Sequence, residues 1–147
     1  MNNHTSKEIS RLNHLISEIE AVYHETSLKF GLSDSEMQIL YTIFDNGDKC
    51  PLRDICYLTG ISKQTLNSAL RKLESKDIIY LEPIGAKGKL VCFTESGKQL
   101  AEHTVVKLIR AENNIFSSWD IGDVEKYLEL TKRYLNSLKE ETHKIES

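Results

Sequence analysis

The residues that could do chemistry in this chain are five histidines, three cysteines and one polar stretch, Ser62 to Glu74. His4, His14, His24, His103 and His143 are scattered, with no H-E-x-x-H or comparable ligand spacing. His14 and His24 stand nearly three turns apart on an expected helix, so they cannot share one metal. A metal-responsive arrangement would need His24 or His103 to meet carboxylates across the fold. Cys50, Cys56 and Cys92 contain no C-x-x-C pair, which argues against a zinc site and against a disulfide framework. Three reduced thiols follow, and Cys50, in an expected loop, is the one placed for redox sensing. No glycine-rich phosphate loop is present. An enzyme is therefore disfavoured, and no metal or cofactor is expected.

What remains is hydrogen-bonding chemistry in Ser62–Glu74, SKQTLNSALRKLE. Ser62 is a helix N-cap candidate, because its hydroxyl can accept from backbone N–H groups that lack helical partners. At about 100° per residue, Leu66, Ala69, Leu70 and Leu73 share one arc. Gln64, Asn67, Ser68 and Arg71 occupy the other side, with Lys63 on its flank. That polar side has no carboxylate until Glu74. Solvated helix faces usually mix Glu with Lys. Amides, hydroxyls and a guanidinium without acids match what a DNA base edge and its phosphates accept.

The elements that must position this helix follow from the rest of the chain. The 147 residues suit one domain of ordinary size, and 39% apolar content is enough for a core. Two prolines and seven glycines predict a mostly helical fold. No run of about 18 apolar residues marks a membrane span. The N-terminal MNNHTSKEIS has no apolar segment of the signal-peptide kind, so a cytoplasmic location is expected. Residues 5–29 carry Ile9, Leu12, Ile16, Ile19 and Tyr23 at helical spacing, ending at Gly31 as a left-handed terminator. Ser33 and Glu36 form a capping box for a second helix with Met37, Leu40, Tyr41 and Phe44. The loop DNGDKC then leads to Pro51 at the first turn of a short helix, Leu52 to Leu58.

Thr59-Gly60-Ile61 joins that helix to the Ser62 helix: helix, short glycine turn, helix. The period then changes. Ile78–Leu81 and Leu90–Phe93 are β-rich runs flanking Glu82–Lys89, a predicted hairpin loop with lysines near its tip. A basic hairpin behind such a helix reads as a wing. Another helix is expected from Thr94 to about Ser117, and a last one capped by Asp120, with Ile121, Val124, Leu128, Leu135 and Leu138 recurring. The net charge is −3, yet Ser62–Lys98 holds seven basic and four acidic residues, +3, which leaves the remainder at −6. A basic centre between acidic ends can hold DNA at one surface and repel it elsewhere. The fold class is thus mainly α with a small β-hairpin wing. Residues 1–32 and 98–147 are expected as a helical dimerisation region around a winged helix-turn-helix at 33–97, since both end helices carry apolar stripes in excess of what that core needs.

Gly60-Ile61-Ser62-Lys63-Gln64-Thr65, Leu70-x-x-Leu73-Glu74 and Phe93-Thr94-x-x-Gly97 resemble the turn, recognition helix and post-wing element of the MarR family of winged helix-turn-helix regulators. The resemblance runs in order over nearly the whole chain. It implies a homodimer held by the terminal helices, with recognition helices in successive major grooves of a pseudo-palindromic operator and wings at the flanking minor grooves. It also implies a repressor released by a small, often aromatic, effector or by oxidation. The family's pocket lies between the dimer helices and the winged core, where Tyr23, Tyr41 and Trp119 are the aromatic candidates. One departure is clear. The family's wing carries Asp-x-Arg, and Gly85-Ala86-Lys87 stands here, which keeps the charge and loses the planar fork.

On this reading Ser62 caps the helix and approaches a phosphate. Gln64, Asn67, Ser68 and Arg71 face bases, Lys63 and Thr65 hold backbone, and Lys87 enters or flanks the minor groove. The alternatives are a winged helix that binds protein, and a redox- or metal-responsive form of the regulator.

Overall fold

The computed structural model describes residues 3–145. By its internal contacts the chain divides into two compact units, one running to Lys107 and the other from Leu108.

The first unit begins with α1 (Lys7–Lys29), capped by Ser6, whose hydroxyl accepts from the Ile9 N–H at 3.1 Å. After Gly31, at φ +71°, the Ser33–Glu36 capping box forms as expected and starts α2 (Asp34–Asp45). This helix is the hub. Ile39, Leu40 and Ile43 are fully buried, because α2 packs on α1, on α3 (Leu52–Thr59), on α4 (Lys63–Ser75) and on α5 (Glu95–His103). It also meets the small sheet. Glu36, itself buried, accepts from Lys76 at 3.5 Å and so ties the start of α2 to the end of α4.

The sheet has three antiparallel strands in the order β1-β3-β2: β1 (Lys49–Pro51), β2 (Ile79–Ile84) and β3 (Gly88–Phe93). Two expectations need correction here. The DNGDKC loop ends in a strand, because Cys50 pairs with Val91 and is wholly buried. A three-residue strand ending in proline has no alternation of its own; its partner β3 makes it one. The hairpin loop is also shorter than expected. The ladder continues through Glu82↔Leu90, Pro83↔Lys89 and Ile84↔Gly88, leaving only residues 85–87 as the turn. Pro83 is tolerated because β2 is an edge strand, where a missing N–H breaks no second ladder. Gly85 turns the chain at φ +61°.

The helix expected from Thr94 to Ser117 is two helices, α5 and α6 (Val105–Ser118). The break is at Thr104, at φ −129° and ψ −91°. Its buried hydroxyl donates to the Leu100 carbonyl at 2.7 Å.

In the second unit, Asp120 caps α7 (Ile121–His143) by accepting from the Gly122 N–H at 3.0 Å. Phe116, Trp119 and Tyr127 form one aromatic cluster, with Trp119 stacked on Tyr127 at 5.7 Å between centroids. No residue of α7 is buried, although Tyr127, Leu128, Leu130, Tyr134, Leu135 and Leu138 lie along it.

Candidate nucleic-acid interface

The α3–turn–α4 segment is held by its own side chains. Gly60 closes α3 at φ +68°. Thr59 donates to the Ile55 carbonyl at 2.6 Å and accepts from the Ile61 N–H at 3.3 Å, which fixes the path into α4. Ser62 caps α4 as expected: its hydroxyl accepts from the Thr65 N–H at 3.3 Å and lies 3.0 Å from the Thr65 hydroxyl.

Leu66, Ala69, Leu70 and Leu73 are the buried residues of α4, the same four that periodicity selects. Lys63, Gln64, Thr65, Asn67, Ser68 and Arg71 are all exposed. Their spacing splits them into two stripes. Gln64, Ser68 and Arg71 follow at i, i+4 and i+7 on one line, and Lys63 and Asn67 follow at i and i+4 on the next. The first turn of α4 contains no acid of its own at the positive end of the helix dipole.

The second stripe faces an open cleft of about 690 Å³ formed by α3, α4 and the β2–β3 turn. Arg53, Lys63, Lys87 and Lys89 line it, together with Asn67, over an apolar floor that includes Cys56, Leu66 and Ile84. Among the described residues no carboxylate lines the cleft, and none of these four cations is in an ion pair. Gly88 is required where the turn rejoins β3: a Cβ there would fall 2.7 Å from the Ile84 carbonyl oxygen. Sequence reasoning places Lys63, Asn67 and Lys87 in the site and misses Arg53 and Lys89. An isolated arginine one residue into a short helix carries no pattern, and Lys89 falls inside the longer loop that the sequence predicts.

The cysteines divide differently from expectation. Cys50 lies buried in a strand and not in a loop, and Cys92 is buried on the neighbouring strand β3. Burial pushes both thiols up, helped by the negative charge of Asp54 near Cys50 and of Glu82 near Cys92. Cys50 is therefore poorly placed as a redox sensor, because the thiolate is the reactive form. Cys56, only half-buried, is the accessible one.

His24 meets a single carboxylate. Its Nδ1 donates to Asp34 at 2.9 Å, and the buried Ser27 hydroxyl donates to the same carboxylate at 2.6 Å. His103 Nδ1 lies 2.7 Å from the Gln99 carbonyl. Among the described residues no three His, Cys, Asp or Glu side chains gather as a metal site. Of the aromatic candidates for an effector, Tyr23 lies on α1, Tyr41 on α2, and Trp119 in the second unit against Phe116 and Tyr127. Among the described residues no helix is long and apolar enough to cross a membrane.

Residues 30–89, from the end of α1 to the start of β3, match the sequence model of the MarR family. No curated protein matches the chain by sequence. Solved structures resemble it in fold. The MarR family regulator NMB1585 from Neisseria meningitidis is 19% identical, with a TM-score of 0.77, over 93% of this chain and 96% of that one. MepR of S. aureus, solved in complex with DNA, is 22% identical with a TM-score of 0.68, over 92% and 99%. BpsR of Bordetella bronchiseptica, whose DNA binding is regulated by 6-hydroxynicotinic acid, is 18% identical with a TM-score of 0.63, over 84% and 98%. Residues 30–89 thus resemble the MarR family in sequence, and the chain as a whole shares the winged helix-turn-helix fold of solved MarR family regulators.

Proposed function

We propose that the protein is a cytoplasmic, homodimeric, sequence-specific DNA-binding repressor, released by a small effector of aromatic type. The observation that carries the DNA reading is the exposed face of α4, free of carboxylates from Lys63 to Leu73, beside a cleft lined by four unpaired cations. Gln64, Ser68 and Arg71 form the stripe that reads base edges. An amide can pair with adenine through two bonds and a guanidinium with guanine. Ser62, Lys63 and Thr65 hold the backbone at the start of α4, and Asn67 and Lys87 complete the surface towards the wing.

The dimer reading is supported by the apolar residues that each unit leaves in water. Leu15, Ile16, Ile19 and Val22 of α1 are exposed, and so are Ile121, Leu128, Leu135 and Leu138 of α7. A second copy is the simplest cover for them, with residues 1–32 and 98–147 as the dimerisation region. A twofold dimer requires an inverted repeat with half-site centres about 34–36 Å apart. For an effector, Tyr23, Tyr41 and Trp119 are the aromatic residues proposed to meet it. BpsR, with its hydroxylated pyridine carboxylate, is a precedent for the effector's chemical class.

Selection of bound duplexes from a random DNA pool tests this reading. It predicts enrichment of a pseudo-palindrome with that spacing. A pool that shows no enrichment while the folded protein is present would remove sequence-specific DNA binding and favour a winged helix that binds protein.

A further inference from the structure

The cleft between α3 and the wing points to a role for the wing that its sequence departure leaves open. The turn is only three residues long, and it lacks the arginine fork that a narrow groove would take in. Its lysines are instead met by a cation from the opposite wall. Arg53 comes from the first turn of α3, Lys63 from the first turn of α4, Lys87 from the turn and Lys89 from β3. Four cations from four separate elements thus border one concave surface, and no carboxylate neutralises them there among the described residues.

The geometry points to a phosphodiester clamp: Arg53, Lys63, Lys87 and Lys89 seat the backbone of one DNA strand in this cleft, so the wing grips phosphate and does not read the minor groove. This rests on the DNA-binding reading above and names two residues, Arg53 and Lys89, as positioning residues within it. The chemistry fits on two counts. Phosphate accepts charge and donors from either Lys or Arg, whereas a narrow minor groove is read chiefly by inserted arginine. The floor under the cations is apolar at Leu66 and Ile84, which suits the C–H faces of deoxyribose between phosphates. The division of labour is then clean. The Gln64–Ser68–Arg71 stripe specifies, and the cleft fixes register and supplies affinity.

The test is a salt titration of the full chain on a mixed-sequence 30-base-pair duplex, for wild type, Arg53→Gln, Lys89→Gln and Arg53→Lys. Each Gln variant should lower the slope of log affinity against log salt by about 0.9 for each phosphate it ceases to neutralise, and by twice that if both copies of a dimer contribute. Arg53→Lys should restore the wild-type slope. Netropsin, which occupies A·T minor grooves, should leave the affinity of all four proteins unchanged. Arg53 and Lys89 are both exposed, so their substitution leaves the core intact, and circular dichroism confirms that each variant is folded. Unchanged slopes in the Gln variants, or displacement of the wild type by netropsin, overturn the clamp while leaving DNA binding intact. A wild type that shows no salt-dependent binding at all overturns the DNA reading itself, and the clamp with it.

Discussion

Gly97 lies directly against the carbonyl of Ile78, so that a Cβ built on the glycine would overlap that oxygen. The contact closes a small lock behind the recognition helix. Thr94 donates to the Asp77 carbonyl at 2.6 Å and accepts from the Gly97 N–H at 3.0 Å, while its own N–H donates to Ile78 at 3.0 Å. Asp77 holds a left-handed conformation at φ +59° to make the corner. The Phe93-Thr94-x-x-Gly97 pattern therefore has a physical reason: the threonine satisfies the corner's carbonyl and caps α5, and only glycine lets α5 approach it.

Gly97→Ala should thus destabilise the fold by about 1–3 kcal/mol, the range for forcing a methyl into a closed site. Thr94→Ala should cost about 1 kcal/mol as a lost cap. Urea denaturation midpoints check both. A wild-type midpoint for Gly97→Ala would mean that α5 can slide off Ile78 at no cost.

The join between α1 and α2 should be sensitive to acid through Asp34. The Ser27 hydroxyl, then the His24 hydrogen bond, hold its carboxyl below the ordinary value of 3.8; slight desolvation opposes them. A carboxylate whose folded value is depressed contributes stability that is fully present above its unfolded value and is lost as pH falls through the folded one. Ser27→Ala removes the largest of these contributions, so Asp34 should titrate closer to 3.8. The stability gap between wild type and variant should be full at pH 5 and shrink below about pH 4. A carboxyl-carbon NMR titration of Asp34 reads the first effect directly, and a gap that persists undiminished to pH 2 would detach it from this carboxylate. Because Asp34 is half exposed, salt should weaken the effect.

Thiol reagents should find one cysteine first. Cys56 is accessible and lines the cleft, whereas Cys50 and Cys92 are buried with thiols pushed up. N-ethylmaleimide should label Cys56 in the native protein and the other two only on unfolding. The adduct should weaken duplex binding, since it fills the floor on which the backbone is proposed to lie. Peptide mapping after limited labelling decides the order. Prior labelling of Cys50 would show that β1 opens readily.

How much of the fold and site is legible in the sequence follows from the range of the interactions involved. The α4 core residues Leu66, Ala69, Leu70 and Leu73, the caps at Ser33 and Ser62 and the turn at Gly60 are decided within a few residues, and periodicity and cap chemistry find them. Strand β1 is decided far along the chain by Val91 and Cys92, and three residues ending in Pro51 carry no signal of their own. The Thr104 break hides in a helical pattern, because the apolar spacing runs on through it at Leu100, Val105, Leu108 and Ile109. Arg53 acquires a place in the site only because the short turn brings Lys87 to the opposite wall. Such residues are found by asking which cations no carboxylate answers.

Arg71 separates reading from gripping. It ends the Gln64–Ser68–Arg71 stripe, it is exposed, and it is not among the cleft's lining residues. If it pairs with guanine through its two-pronged guanidinium, Arg71→Ala should cost about 1–3 kcal/mol on a selected site and relax preference at a single base pair. The same variant should keep nearly its wild-type affinity for mixed-sequence DNA, where the cleft dominates. Lys63→Ala should do the reverse, weakening every duplex alike and flattening the salt dependence. Binding measured in parallel on the selected and the mixed duplex distinguishes the two. An Arg71→Ala protein that loses affinity equally on both would move Arg71 from the reading stripe to the phosphate contacts, leaving Gln64 and Ser68 to specify the sequence.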